Sequence, residues 1–339
     1  MTLKIDTTLM GRDIATLKEL AGDLESAGYD GLWVGETAHD SFLQSLQAID
    51  GSSRVSVGTE IAIAFARTPM TLAYSGYDLA KYSQGRFIMG LGSQVKAHIV
   101  RRFGMPWSEP AKRMRELILA TRAIWDAWQN EQPLDFRGDF YSHTLMTPFF
   151  SPPPHEFGPP PIFAGGVGAI MTEAVGEVVD GYFFHPFTTQ RFVNEVTIPA
   201  LERGRAKAGT PGLEGLTIAG PAFVCCGRTE EEMAAAIAGT KNQIAFYAST
   251  PAYKAVLELH GWGELQGELN RLARANRWSE MGGLVDDEVL HTISAVGTPD
   301  EVARDLVARW GDVADRITLY FNYPVDPELP LEIADTIRS

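Results

Sequence analysis

Residues 78–92 read Asp78-Leu79-Ala80-Lys81-Tyr82-Ser83-Gln84-Gly85-Arg86-Phe87-Ile88-Met89-Gly90-Leu91-Gly92. The first five close an amphipathic helix that opens at Pro69, and Gly85 marks its stop. Phe87 to Leu91 is an apolar run too short for a helix, and it ends on glycines. The same unit recurs on both sides. Leu3–Leu9 reads as a strand, followed by a helix carrying Ile14, Leu17, Leu20, Ala21 and Leu24 at helical spacing and stopped by Gly28. Strands follow at Gly31–Val34 and Val55–Phe65, and beyond residue 92 at Ile162–Ala164, Gly181–Phe184, Leu216–Cys226 and Arg316–Phe321. Helices fill most of the gaps, the clearest over Arg113–Trp128. There Met114, Leu117, Ile118, Ile124, Trp125 and Trp128 form one stripe opposite Arg113, Arg115, Glu116, Arg122 and Asp126. Short strands joined by helices require right-handed crossovers and a parallel sheet. Eight such units favour a closed (β/α)8 TIM barrel over an open doubly wound sheet.

Two stretches break the rhythm. Residues 130–160 hold a hairpin-like turn, Phe136-Arg137-Gly138-Asp139-Phe140-Tyr141, and two proline clusters, and residues 250–290 exceed what one strand–helix unit needs. Because the alternation continues across both, the reading is one domain over residues 1–339 with two insertions. Thr229 with Glu232 forms a capping box, and Thr298-Pro299-Asp300-Glu301 starts another helix.

The chain has 339 residues, 45% of them apolar, and a net charge of −14. That balance disfavours nucleic acid and anionic membranes as partners. Neither a membrane-spanning run nor a leader is legible, so the expected location is the cytoplasm. Cys225 and Cys226 are adjacent in an apolar strand and read as inert. The seven histidines are scattered without metal-ligand spacing, so no metal site is expected. Nucleophile-elbow, Walker and complete dinucleotide-binding signatures are missing.

In a barrel the reactive groups gather on the loops that follow the strands. Gly165, Gly166 and Gly168, between a strand and a helix, offer backbone N–H groups to a phosphate or simply permit a tight turn. His39, beside Asp40 and Glu36, and His185 each read either as a donor to a ligand or as a satisfied structural residue. Gly90-Leu91-Gly92 admits a ring or phosphate close to the backbone, or only fits the barrel bend. Arg67 holds a carboxylate or caps a helix.

These strand-end residues, in this order, resemble the luciferase-like flavin and deazaflavin oxidoreductases. The resemblance rests on Ala27–Glu36, on Val57-Gly58-Thr59, and above all on Ser83-Gln84-Gly85-Arg86 running into Gly90-Leu91-Gly92. It continues through Phe103-Gly104, Ala164–Gly168 and Val296–Pro299. It implies a TIM barrel, a homodimer, and an isoalloxazine-type ring across the barrel mouth. The chain is more similar to the actinobacterial enzymes that use coenzyme F420 than to the FMN monooxygenases.

On that footing His39 is the expected catalytic residue, near the reactive carbon. Glu60-Ile61 falls at a bulge with a non-proline cis peptide behind the ring, and Gly165-Gly166 at the phosphate. Ser93 and Thr188 (or Thr189) fall near the polar tail, with Glu36 and His185 as further cofactor contacts. One departure stands out: Ser93-Gln94-Val95-Lys96-Ala97-His98 lacks the glutamate that the sugar-phosphate dehydrogenases of this branch carry there. The implied activity is hydride transfer between F420 and a partly apolar small molecule, beside an apolar rim around Phe65, Phe184 and Phe187, with a separate F420-reducing enzyme as indirect partner. The alternatives are an FMN monooxygenase fed by a flavin reductase and a non-catalytic deazaflavin-binding protein. A non-redox barrel would need a carboxylate pair, for which Glu36 with Asp40 is the local candidate.

Overall fold

In the computed structural model, which describes residues 3–339, eight parallel strands close into a barrel. They are β1 (Lys4–Thr8), β2 (Gly31–Val34), β3 (Ser56–Thr59), β4 (Phe87–Gly92), β5 (Ile162–Gly165), β6 (Gly181–Phe183), β7 (Thr217–Cys226) and β8 (Arg316–Tyr320). Each pairs with the next, and β8 returns to β1 with Arg316 opposite Lys4 and Thr318 opposite Asp6. The eight expected strands are these eight.

Three details differ from the sequence reading. The apolar run Val55–Phe65 is not one strand. It breaks at Glu60-Ile61, whose peptide bond is cis as the family resemblance implies, and resumes as Ala62–Ile63 alongside Leu91 and Gly92. A short additional strand, Ala295–Gly297, pairs with Val224–Cys226 at the outer end of β7; three residues ending on glycine leave no period to read. Thr229 accepts from the Glu232 N–H, but the Glu232 carboxylate accepts from Arg228, so only half of that capping box forms.

The largest apolar layer lies between strands and helices. Ile5, Leu32, Val57, Met89 and Ile162 point outward into it, and Trp125 and Trp128 of the helix Pro110–Gln129 fill it from the other side. A smaller cluster fills the barrel itself. Trp33 meets Phe183 edge-on at 5.2 Å, and Ile88, Phe163 and Ala219 complete it. A third cluster stands apart, around Ile244, Leu257, Leu269 and Leu290, and holds the 250–290 excursion as a packed helical block.

Below the aromatic plug lies a buried ion pair. Arg316 donates from Nε and Nη2 to the Asp6 carboxylate at 2.7 and 2.8 Å, and Trp33 Nε1 donates to the same carboxylate at 2.8 Å. Gly31 makes room for it, since a Cβ there would lie 2.4 Å from the guanidinium and 2.6 Å from the carboxylate. Gly90 answers a similar demand: its Cβ would stand 1.8 Å from the Thr59 carbonyl, so here the barrel requires glycine whatever ligand approaches.

The charged face of Pro110–Gln129 is not a solvent face. Arg113 and Glu116 are buried because the 130–160 excursion folds back over them. Glu116 accepts from the N–H groups of Asp139, Phe140 and Tyr141, and Arg113 donates to the Tyr141 hydroxyl.

Removing one partner of a buried pair strands the other's charge, at a cost of about 3–5 kcal/mol. Arg316→Met is therefore expected to lower stability by about that amount in denaturant unfolding, and Asp6→Leu in the same chain to recover much of the loss.

Candidate active site

A cavity of about 1040 Å³ opens at the C-terminal ends of the strands. Seven strands or the loops after them supply its wall: Thr8, Ile61, Ser93, Gly165, His185, Pro221 and Tyr320 are representative. The volume exceeds the ~300–1,000 Å³ of ordinary ligand pockets, which is room for a cofactor ring and a second molecule together.

The floor is Glu60 with Ile61. Ile61 turns its side chain toward Gly92, where a Cβ would stand 2.6 Å from the Ile61 Cδ1. Glu60 reaches down toward the barrel interior, and its Oε1 is buried without a hydrogen-bond partner. Burial, reinforced by the nearby Asp6 carboxylate and only partly opposed by Arg316, pushes the Glu60 carboxyl up to about 8. It holds a proton at neutral pH.

At one edge Gly165 to Gly168 lead into the helix Ala169–Gly176. Gly168, at a φ of 85°, has no side chain to cap that helix, so its leading N–H groups lie open beside the cavity at the positive end of the helix dipole. On the next strand, β6, the chain runs on to His185, which accepts the Phe187 N–H at Nδ1, 3.1 Å away, and meets the Tyr253 hydroxyl at Nε2, 2.9 Å away. Desolvation pushes its pKa down to about 3, so the ring is neutral.

Of the residues expected at the site, Glu60, Ile61, Ser93, Gly165, Gly166 and His185 line this one cavity. Glu36, His39 and Thr188 do not. Arg67 grips Glu36 through both guanidinium nitrogens at 2.7 Å and also Asp40 at 2.7 Å, while Asp40 caps the helix Ser41–Asp50. The turn between them carries His39 exposed, its Thr37 carbonyl accepts from Arg102 at 2.6 Å, and Met10 packs against Gly35 at the end of β2. Arg67 is thus a carboxylate holder within the fold, and Glu36 and Asp40 are consumed as its partners. Thr188 is buried behind the wall, and Thr189 caps the helix that follows while its hydroxyl pairs with His260 at 2.8 Å.

Phe65 and Phe187 are core, and of the expected aromatic rim only Phe184 faces the cavity. Cys225 and Cys226 are buried away from it, and burial raises their thiols to about 11 and about 12. Tyr247, Tyr253, Tyr320 and Trp107 escaped the sequence reading. Trp107 and Tyr253 come from a loop and an excursion with no period to announce them, Tyr247 sits near the end of the helix Glu230–Ala248, and Tyr320 sits in a strand whose apolar run reads as core.

A family model for luciferase-like monooxygenases matches residues 3–316. The chain belongs to the luciferase-like monooxygenase family. An uncharacterised family relative from Mycobacterium tuberculosis is 46% identical over 319 residues, 94% of this chain and 93% of the relative. A second protein of that organism, provisionally named a coenzyme F420-dependent oxidoreductase, is 26% identical over 85% of each chain. Among solved structures, the coenzyme F420-dependent tetrahydromethanopterin reductase of Methanopyrus kandleri superposes with a TM-score of 0.80 at 21% identity, covering 98% of this chain and 97% of its own. The oxygenating constituent of 3,6-diketocamphane monooxygenase from Pseudomonas putida, solved with FMN, gives 0.67 at 16% identity, covering 98% and 96%. At these identities the two structures establish the shared barrel. Among the described residues no cluster of three or more His, Cys, Asp or Glu is placed to hold a metal, and no helix is long and apolar enough to cross a membrane.

The Glu60 carboxyl is raised above its unfolded value, so its contribution to stability is complete below about pH 4.5 and is lost as pH rises through about 8. Glu60→Gln should flatten that slope and make the variant more stable than the parent at pH 9. Thermal unfolding at pH 5 and pH 9 checks this.

Proposed function

We propose that this protein is an oxidoreductase that binds coenzyme F420 in the barrel mouth and exchanges hydride between it and a partly apolar organic substrate. The observation that carries the reading is the pairing of a wide, apolar-walled cavity with uncapped amides at one end. A flat tricyclic ring needs the first and its phosphate-bearing tail needs the second. When bound, the deazaflavin supplies two electrons as a hydride.

The residues divide the work by position. Ile61 and the cis bond before it present a backbone surface for one ring face. Glu60 beneath it turns its proton-bearing carboxyl into the barrel interior and so places no charge under the ring. Gly165 and Gly166 let the chain approach the tail, and Ser93 stands on the facing loop. The neutral His185 belongs to the wall left for substrate. His39, exposed on the turn beside the Arg67 clamp, is outside the cavity lining and takes no step in this reading.

The name of the second tuberculosis relative supports the choice of F420. The structure solved with FMN makes that flavin the alternative to test, because the same glycine edge suits its phosphate.

Titration with oxidised F420 and, separately, with FMN decides between them, read as quenching of cofactor fluorescence. Saturable quenching of F420 with none of FMN is expected, and the reverse result would replace the proposal by the monooxygenase reading. Gly165 has space for a Cβ, whose nearest neighbour would be 3.6 Å away. Gly165→Val should therefore fold normally yet bind F420 at least about tenfold more weakly, a loss of ~1.4 kcal/mol.

A further inference from the structure

One wall of the cavity, which starts on the strand next to the glycine edge, is built from four aromatic groups that bear protons. His185 follows β6, Tyr320 ends β8, Tyr247 lies in the helix Glu230–Ala248, and Tyr253 closes the turn Pro251–Tyr253 at the start of the 250–290 excursion. Their geometry fixes where the protons are. The His185 Nδ1 accepts from a backbone N–H, so it carries none. The ring is neutral, so its one proton is on Nε2 and is donated to the Tyr253 oxygen. The Tyr253 hydroxyl hydrogen then has nowhere to go within the cluster, and among the described residues no other acceptor is within reach of it. Tyr247 and Tyr320 lie 3.2 Å apart, oxygen to oxygen, and one hydrogen suffices for that contact, which leaves a second O–H free.

The wall therefore has two hydroxyl donors to spare. None of the four is a Lys or Arg, the cavity's Lys96 and Lys112 come from other segments, and desolvation raises Tyr253 and Tyr320, so these phenols stay protonated. The surfaces around the donors are flat: His185 stacks on Tyr253 with centroids 4.4 Å apart, and Tyr247 stands edge-on to both.

We propose that His185, Tyr253, Tyr247 and Tyr320 form the substrate subsite of this cavity, where the Tyr253 hydroxyl donates to the carbonyl oxygen of a planar conjugated ketone, aldehyde or enone. The inference deepens the oxidoreductase reading and rests on it for the word substrate, but the hydrogen-bond logic is independent of which cofactor binds. His185 is a positioning residue: by donating to Tyr253 it turns the phenol's own hydrogen toward the ligand. An uncharged carbonyl oxygen accepts both spare donors, whereas an alcohol must spend its own hydrogen in a wall already over-supplied with them.

The probe is 4-(dimethylamino)benzylideneacetone, an enone whose absorption band moves to longer wavelength when its carbonyl oxygen accepts a hydrogen bond. Added to the full-length protein it should bind saturably with such a shift. Tyr253→Phe should lose most of the shift and bind the probe about fivefold more weakly, the worth of one neutral hydrogen bond. Tyr247→Phe should keep most of the shift. Absence of a saturable shift in the parent protein, or a full shift retained by a folded Tyr253→Phe variant, overturns the subsite. Far-ultraviolet circular dichroism and F420 quenching report whether each variant is folded. A protein that quenches F420 without shifting the probe keeps the oxidoreductase reading and loses this subsite; one that shifts the probe and quenches neither F420 nor FMN does the opposite.

Discussion

Closure of the barrel brings Asp6 on the first strand against Arg316 on the last, and much of the molecule is arranged around that buried contact. A lone charge in this interior is untenable, so the two strands are tied wherever both residues are present. Trp33 completes the carboxylate's hydrogen bonds and its ring lies against the guanidinium, with the Arg316 carbon 5.2 Å from the ring centroid. The neighbouring strand pays with Gly31, whose missing side chain is the space the pair occupies. The consequence reaches the cavity. Arg316 has one charge and Asp6 takes it, so Glu60 above them is left with too little compensation to ionise at neutral pH. Burial thus keeps the proton on a group of the cavity floor, and the structural ion pair beneath it adds a smaller push through Asp6.

The cavity has two halves of different origin. The floor and the glycine edge come from barrel strands and the first residues after them, positions that any closed barrel holds rigidly. The tyrosine wall depends on the excursion beyond residue 250, which carries Tyr253 and has its own apolar cluster. That cluster lets the wall be a packed surface rather than a loop. A family can keep the first half and change the second, which is how one barrel supports many substrates.

The earlier excursion, over 130–160, does different work. It lies across the outer face of the helix Pro110–Gln129 and satisfies the Glu116 carboxylate with three backbone N–H groups. A helix that reads as amphipathic in isolation is covered on part of its charged face, and Arg113 and Glu116 there become internal hydrogen-bond partners while Asp126 stays exposed.

Strand and helix alternation, the eight-unit count, the placement of glycines at strand ends and the bulge at Glu60-Ile61 were all legible along the chain. They rest on local periods, on stops and on a run of strand-end residues recognisable by order alone. His39 shows where such reading ends. Its neighbours Glu36 and Asp40 looked like site residues, but Arg67, about thirty positions away, claims both carboxylates. Tyr247, Tyr253 and Tyr320 meet from three separate segments, and no spacing announces them. The sequence alone determined the barrel and the edge of its mouth, because backbone geometry and hydrophobic period are short-range. Which side chains face the cavity, and which of them keep a proton, was decided only by the fold, because desolvation and ion pairing depend on neighbours that the chain brings together across hundreds of residues.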